Sequence, residues 1–227
     1  INIVTEKYSS LVLFGSIVSS EERERLVVLL KDFKDVFAWS YEDEPGINPE
    51  IVQYRISLDP KAWPIKQKLW RIHLDCALKI KEEVTKQIDA RFLLVSEHPT
   101  WLANIVPVPK KDGRIWVSVD FRDLNKATPK DNFPLPHIDE LVDFTVGHAL
   151  LSFIDGFSGY NQILMAPKDR EKTAFTTPWR AYCYRVMPFG LKNARATYQQ
   201  AATTILLDML HIEVEVYVDN MFVKSKE

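Results

Sequence analysis

Cysteine is nearly missing from this chain: Cys76 and Cys183 are the only two among 227 residues. That is too few for a disulfide framework or a zinc cluster, and it fits a reducing compartment. There is no run of 18 apolar residues and no N-terminal stretch of charged then apolar residues, so neither a membrane-spanning helix nor a secretory leader is expected. A basic excess is missing as well. Lys and Arg number 29 against 31 Asp and Glu, for a formal net charge of −2 and a pI near 6.3. No overall field advertises a polyanionic partner, so any nucleic-acid surface has to be local. Internal repeats are absent. The expectation is an intracellular chain without a membrane partner, cytoplasmic or nuclear. It begins at Ile1 rather than Met and stops just after a strand-like run, as a segment of something longer would.

What is present is an ordinary globular composition, 46% hydrophobic and 26% charged, enough for one large domain or two small ones. Residues 1–18 show no clear period. The spacing of Ser19 and Glu22 predicts a capping box, and Leu26, Leu29, Leu30, Phe33 and Phe37 fall on one face of a helix ending near Trp39. The acidic, turn-rich YEDEPGINPE marks a boundary, giving an appendage over 1–50 and a main body over 51–227. IVQYRISLD alternates as a strand does, with Val52, Tyr54, Ile56 and Leu58 on one face. A second amphipathic helix is predicted over 75–93, with Asp75 as N-cap and Ala77, Ile80, Val84 and Ile88 at helical spacing.

LANIVPVP and RIWVSVDF read as a hairpin whose basic tip is KKDG, residues 110–113. Three prolines hold TPKDNFPLPHIDEL, residues 128–141, extended. Beyond it LLSFID reads as a buried strand, YCYRVM as another, and ARATYQQAATTILLDML as a helix capped by Asn193. EVEVYVD closes the series with Val214, Val216 and Val218 on one face. Helices and strands mixed without strict alternation predict an α+β fold with a mainly antiparallel sheet.

Two carboxylates end apolar strands: Asp155 in LLSFID and Asp219 in EVYVDNMFVKS. Strand ends hold side chains rigidly, and carboxylates from neighbouring strands bind hard cations such as Mg²⁺ through oxygen. Two such ions about 3.5–4 Å apart are the usual clamp for in-line phosphoryl transfer. From spacing alone a second reading stands beside the first, because Asp-Asn is also good hairpin-turn chemistry. Lys110, Lys111, Arg114 and Arg122 are likewise either phosphate contacts or a solvated hairpin tip and its neighbour.

The ordered set LANIVPVPKKDGR, VDFRDLNKATPKDNFPLPHIDEL, LLSFIDGFSGYNQI, EKTAF, YRVMPFGLKNARATYQ and EVYVDNMFVKS resembles the reverse transcriptase of gypsy-type long-terminal-repeat retrotransposons, the plant form in particular. SSEERERLVVLLKDFKDVFAWSYEDEPGI resembles the linker that joins protease to polymerase in those Gag-Pol polyproteins. The resemblance implies a right-hand polymerase, with fingers and most of the palm in residues 51–227 and the thumb absent. It implies Asp155 and Asp219 as palm carboxylates for Mg²⁺ or Mn²⁺, with Asn220 where a third aspartate is usual. Tyr160 matches the ring under the incoming sugar that rejects a 2′-hydroxyl. Lys110 or Lys111 matches the lysine on the triphosphate, Phe189 and Gly190 line the nucleotide and template pocket, and Arg122 lies near the template.

The implied partners are an RNA template, a DNA primer, dNTPs, and the RNase H and integrase portions of the same polyprotein, within a virus-like particle or the nucleus. Several residues depart from the pattern of plant relatives. Trp116 stands where an arginine clamps the triphosphate, Arg91 and Arg195 where glycine is usual, Leu74 for proline and Asn220 for aspartate. Feeble or absent polymerisation is therefore expected. The alternative is a catalytically dead remnant, or a domesticated module that binds nucleic acid.

Overall fold

The computed structural model describes residues 2–4, 9–11, 13–38, 43–109, 115–156 and 158–225. The chain divides into two compact units, Ile1–Pro45 and Gly46–Glu227. In the first, β1 (Asn2–Val4) and β2 (Ser9–Leu11) form an antiparallel pair. Helix α1 (Ser20–Asp32) opens with the expected capping box: Glu22 N–H donates to Ser19 Oγ, and Ser19 N–H to the Glu22 carboxylate. The helix stops at Asp32, ahead of a 3₁₀ turn over Lys34–Val36, and none of its residues is buried. Trp39, the predicted helix end, lies outside the described residues.

The second unit is built on two sheets. Helix α2 (Leu74–Asp89) buries Ala77, Ile80 and Val84 against β5 (Ile115–Val119). Ile80 and Val84 each contribute on the order of 1.5–3 kcal/mol when fully buried. The helix begins one residue before its predicted cap: His73 is the N-cap and Asp75 belongs to the first turn. Leu74 thus occupies the first helical position, where proline's fixed φ is favoured.

Its C-terminus is shorter than predicted because Arg91 turns left-handed at φ 59°. Phe92 N–H reaches Gln87 O at 2.9 Å and Arg91 N–H reaches Ile88 O at 2.8 Å, the two bonds of a Schellman motif that glycine favours. A side chain there costs about 1 kcal/mol. Arg91→Gly is therefore expected to stabilise the chain by about 1 kcal/mol, read as a higher urea midpoint at unchanged slope; a lower midpoint would contradict this.

Strands β3 (Leu93–Val95), β4 (Ala103–Pro109), β7 (Phe175–Thr176) and β8 (Ala181–Tyr184) join β5 in a five-stranded sheet of order β3-β8-β7-β4-β5. All its pairs are antiparallel except β4 with β7. The predicted hairpin is β4 with β5, in the register Ile105↔Val119 to Pro109↔Ile115; its tip, residues 110–114, lies outside the described residues. Val52–Leu58 is not a ladder strand. It is extended chain joined at one bridge, Tyr54↔Met165, and its alternation still buries Tyr54 and Ile56 in the core.

A three-stranded antiparallel sheet follows, of order β6 (Leu150–Asp155), β10 (Asn220–Ser225), β9 (Val214–Tyr217). Helix α5 (Ala194–Ile205) packs on β9. Strand β6 is an edge strand, so its apolar run is not the buried strand expected: Phe153 is 72% exposed. Helix α3 (Arg122–Ala127) follows β5. The proline-rich tract is extended only to His137, where a capping box with Glu140 starts helix α4 (Ile138–Thr145). Asn193 occupies the N-cap position of α5 without capping it, because its side chain bonds across to Pro129 O and Asp131 N–H. The fold is thus α+β and antiparallel-rich, as expected. Among the described residues, no helix is long and apolar enough to cross a membrane.

Candidate active site

Pairing of β6 with β10 decides what the two acidic strand ends face. The register sets Asn220 opposite Asp155, Phe222 opposite Phe153 and Lys224 opposite Leu151, and paired residues share a face with Cβ atoms about 4.5–5.5 Å apart. Asp219 directly precedes Asn220, and its carbonyl accepts the Gly156 N–H at 2.8 Å. Asp155, Asp219 and Asn220 therefore meet at one end of the sheet.

The β9–β10 hairpin has a two-residue turn, because Tyr217 pairs with Asn220. Its residues are Val218 and Asp219, not the Asp219-Asn220 pair that turn chemistry suggests. Val218 takes φ 55°, a left-handed conformation that costs a β-branched residue of order 1–3 kcal/mol. Gln199, buried on α5, holds it there: Val218 N–H donates to Gln199 Oε1 at 2.7 Å, and Gln199 Nε2 donates to Val216 O at 3.0 Å. Nothing in the motif itself announces Gln199, which acts across 19 residues.

An aromatic chain runs away from this corner. Tyr160, 5% exposed, stacks on Tyr198 at 5.3 Å and packs at a tilt against Phe189 at 4.6 Å; Phe189 meets Trp116 of β5 edge-on at 5.7 Å. Tyr198 needs Gly159, since a Cβ there would come within 2.6 Å of the tyrosine hydroxyl. Burial pushes the Tyr160 hydroxyl up to about 12, the Asp219 charge adds to the rise, and Arg195 opposes it. Sequence reasoning missed Tyr198 as well as Gln199; each lies one turn past Arg195 on α5, at i+3 and i+4, and that spacing was the available signal.

Arg122 stands apart from the carboxylates. Its Nε and Nη2 atoms donate to the two oxygens of buried Asp120 at 2.8 and 2.7 Å, which holds the Asp120 carboxyl below its ordinary range. Lys110 and Lys111 lie outside the described residues. Gly190, next to Phe189, is left-handed at φ 92°.

The donor set suits a hard cation. Asp155 and Asp219 offer carboxylate oxygens at the surface of a rigid sheet, which fits Mg²⁺ or Mn²⁺, with further oxygens from water and phosphate. Among the described residues, no group of three or more His, Cys, Asp and Glu side chains is placed to hold a metal. Asn220 contributes an amide instead, and its Nδ2 donates to Asp219 Oδ1 at 3.3 Å. That bond takes up an oxygen that a cation would want.

Comparisons with known proteins bear on the family and the fold. Residues 108–227 match the family model "Reverse transcriptase (RNA-dependent DNA polymerase)". The Retrovirus-related Pol polyprotein from transposon 297 of Drosophila melanogaster is 30% identical over 166 residues, which is 71% of this chain and 16% of that protein. Transposon Tf2-7 polyprotein of Schizosaccharomyces pombe is 26% identical over 201 residues, 87% of this chain and 15% of that protein. The chain thus spans about a sixth of the length of these relatives. Among solved structures, the prototype foamy virus protease-reverse transcriptase aligns with a TM-score of 0.79 at 21% identity, covering 93% of this chain and 28% of that one. The foamy viral protein in complex with an RNA/DNA hybrid aligns with a TM-score of 0.79 at 23% identity and the same coverage. The foamy virus structures share the fold of this chain, and the chain belongs to the reverse transcriptase (RNA-dependent DNA polymerase) family.

Proposed function

We propose that the chain is the fingers and palm of a reverse transcriptase from a gypsy-type retrotransposon of plant type, with residues 1–50 corresponding to the linker after the protease. Its reaction by descent is RNA-directed DNA synthesis, with a primer 3′-hydroxyl attacking the α-phosphorus of a dNTP. The new O–P bond forms as the bond to pyrophosphate breaks. The observation that carries this reading is the β6–β10 register, which brings Asp155 and Asp219 to one sheet end. Those two carboxylates would hold Mg²⁺ or Mn²⁺, which when bound lowers the pKa of the attacking hydroxyl and neutralises charge on the phosphates.

The residues around them then have distinct tasks. Tyr160 presents a fixed ring under the sugar, held by Tyr198 below and Phe189 beside it. Lys110, Lys111 and Arg122 meet phosphates of nucleotide and template, and Gly190 lets the Phe189 turn approach the template closely. Partners on this reading are an RNA template, a DNA primer, dNTPs, and the RNase H and integrase portions of the polyprotein, in a cytoplasmic particle or the nucleus.

This copy is impaired on the same reading. Trp116 offers one donor and no charge where a guanidinium would grip the triphosphate, and Asn220 lacks the charge of an aspartate. Metal binding tests the site without requiring turnover. Titration with Mn²⁺ followed by electron paramagnetic resonance is expected to show an ion whose affinity falls at least about tenfold in Asp155→Asn, one lost ligand charge being worth more than 1.4 kcal/mol. Unchanged Mn²⁺ affinity in Asp155→Asn and in Asp219→Asn would remove these residues from the role.

A further inference from the structure

Phe189 sits at an exposed turn, next to a left-handed glycine, and touches both Trp116 and Tyr160. The rings alone leave the backbone of that turn free, and a second set of contacts fixes it. Asn125 of α3 donates through Nδ2 to Gly190 O at 2.8 Å, and its Oδ1 accepts the Lys192 N–H at 2.8 Å. The amide therefore grips the turn on either side of Leu191 with one donor and one acceptor, using both ends of a group that only Asn or Gln provides. Lys192 returns the contact, since its Nζ donates to Asn125 O at 3.2 Å and to Thr128 O at 2.6 Å. Those carbonyls end α3, where a cation is favoured. Four hydrogen bonds thus join the helix after β5 to the turn that carries Phe189.

We propose that Asn125 is a positioning residue for the nucleotide pocket: through the Gly190–Lys192 backbone it holds Phe189 in register between Trp116 and Tyr160. The proposal rests on the reading of Phe189 as a pocket residue. It places the effect of Asn125 in nucleotide affinity, transmitted by one ring, rather than in global stability. The contact is to backbone atoms on both sides of Leu191, so the identity of that residue's neighbours does not replace it. Shortening Asn125 to alanine removes both side-chain bonds while leaving the Phe189 side chain chemically unaltered.

A double-mutant cycle separates this from a merely structural role. The full chain, bound to poly(rA)·oligo(dT) with Mg²⁺, is titrated with mant-labelled dTTP. Asn125→Ala is expected to weaken binding about tenfold, the size of two lost neutral hydrogen bonds, and Phe189→Ala to weaken it by at least as much. With Phe189 already alanine, Asn125→Ala is expected to change the dissociation constant by less than about twofold. Additive effects would overturn the proposal, as would an unchanged constant in Asn125→Ala beside a weakened Phe189→Ala, an outcome that leaves the pocket reading standing. If Phe189→Ala binds as the parent does, or the parent binds no nucleotide, the pocket reading falls and takes the proposal with it. Melting temperatures are followed in parallel. Should Asn125→Ala fail to fold, Asn125→Asp carries the same cycle, because it keeps the acceptor for Lys192 N–H and loses the donor to Gly190; it is expected to fall between parent and alanine.

Discussion

Replacing Asn220 by aspartate, together with Trp116→Arg, is expected to raise Mg²⁺-dependent extension of oligo(dT) on poly(rA) by up to about a thousandfold over the parent chain. The largest share comes from position 220. Its side chain shares a face with Asp155 and lies beside Asp219. One unit charge acting at about 4 Å, with an effective dielectric near 20, is worth roughly 4 kcal/mol, and each 1.36 kcal/mol is about tenfold in rate. Screening makes that an upper figure. The amide also donates to Asp219, so the substitution both adds a ligand charge and frees a carboxylate oxygen. At position 116 the indole rests edge-on against Phe189 while remaining 39% exposed. Little packing is therefore lost when a guanidinium, able to grip phosphate with two parallel bonds, takes its place. Separate single substitutions apportion the gain. A doubly substituted chain that folds and stays as silent as its parent would favour a nucleic-acid-binding remnant.

A second large effect is expected away from the chemistry. Glu215 on β9 and Lys224 on β10 form an ion pair at 2.7 Å with side chains 0% and 2% exposed. Every polar atom of the pair is used. Lys224 Nζ also donates to Phe144 O at 3.1 Å and His211 O at 3.2 Å, and the second Glu215 oxygen meets His211 Nδ1 at 3.0 Å. The pair therefore ties the sheet to the end of α4 and to the loop before β9. Lys224→Met leaves a fully buried carboxylate without its lysine, which destabilises a domain by about 3–5 kcal/mol. Urea unfolding is expected to show that loss as a lower midpoint. Lys224→Met combined with Glu215→Met is expected to recover most of it, because two apolar side chains of similar volume require no partners. If the double variant were as unstable as the single one, hydrogen bonds to Phe144 and His211 rather than charge would explain the loss.

Much of the fold was legible because it rests on periodicity. The face Ala77, Ile80, Val84 buries as its spacing predicts, while Ile88, at the same spacing, stays exposed. The β4–β5 hairpin and β9 follow from alternation alone. Helix α4 was hidden by the prolines just before it, although His137 and Glu140 carry the spacing of a capping box. Strand β6 misled for a physical reason: an apolar run reads as buried, yet its burial depends on what covers the sheet, which no local pattern records.

At the site, alternation marks Asp155 and Asp219 as strand ends but says nothing of register. A single slip would turn Asn220 to the other face. The resemblance supplied that link, and the β6–β10 pairing then set the residues together. Val218 illustrates the remaining gap. No intrinsic preference puts a valine at φ 55°, and its conformation is dictated by Gln199 on a helix elsewhere in the sequence.

Whether the two carboxylates act as one catalytic group is tested most directly by incorporation of labelled dTMP on poly(rA)·oligo(dT) with Mg²⁺. It compares the chain carrying Asn220→Asp and Trp116→Arg with the same chain also carrying Asp155→Asn. Synthesis is expected from the first and a loss of at least about a hundredfold in the second, the effect of removing a charge beside the reacting phosphate on the proposed reading. Equal incorporation by both chains would contradict it.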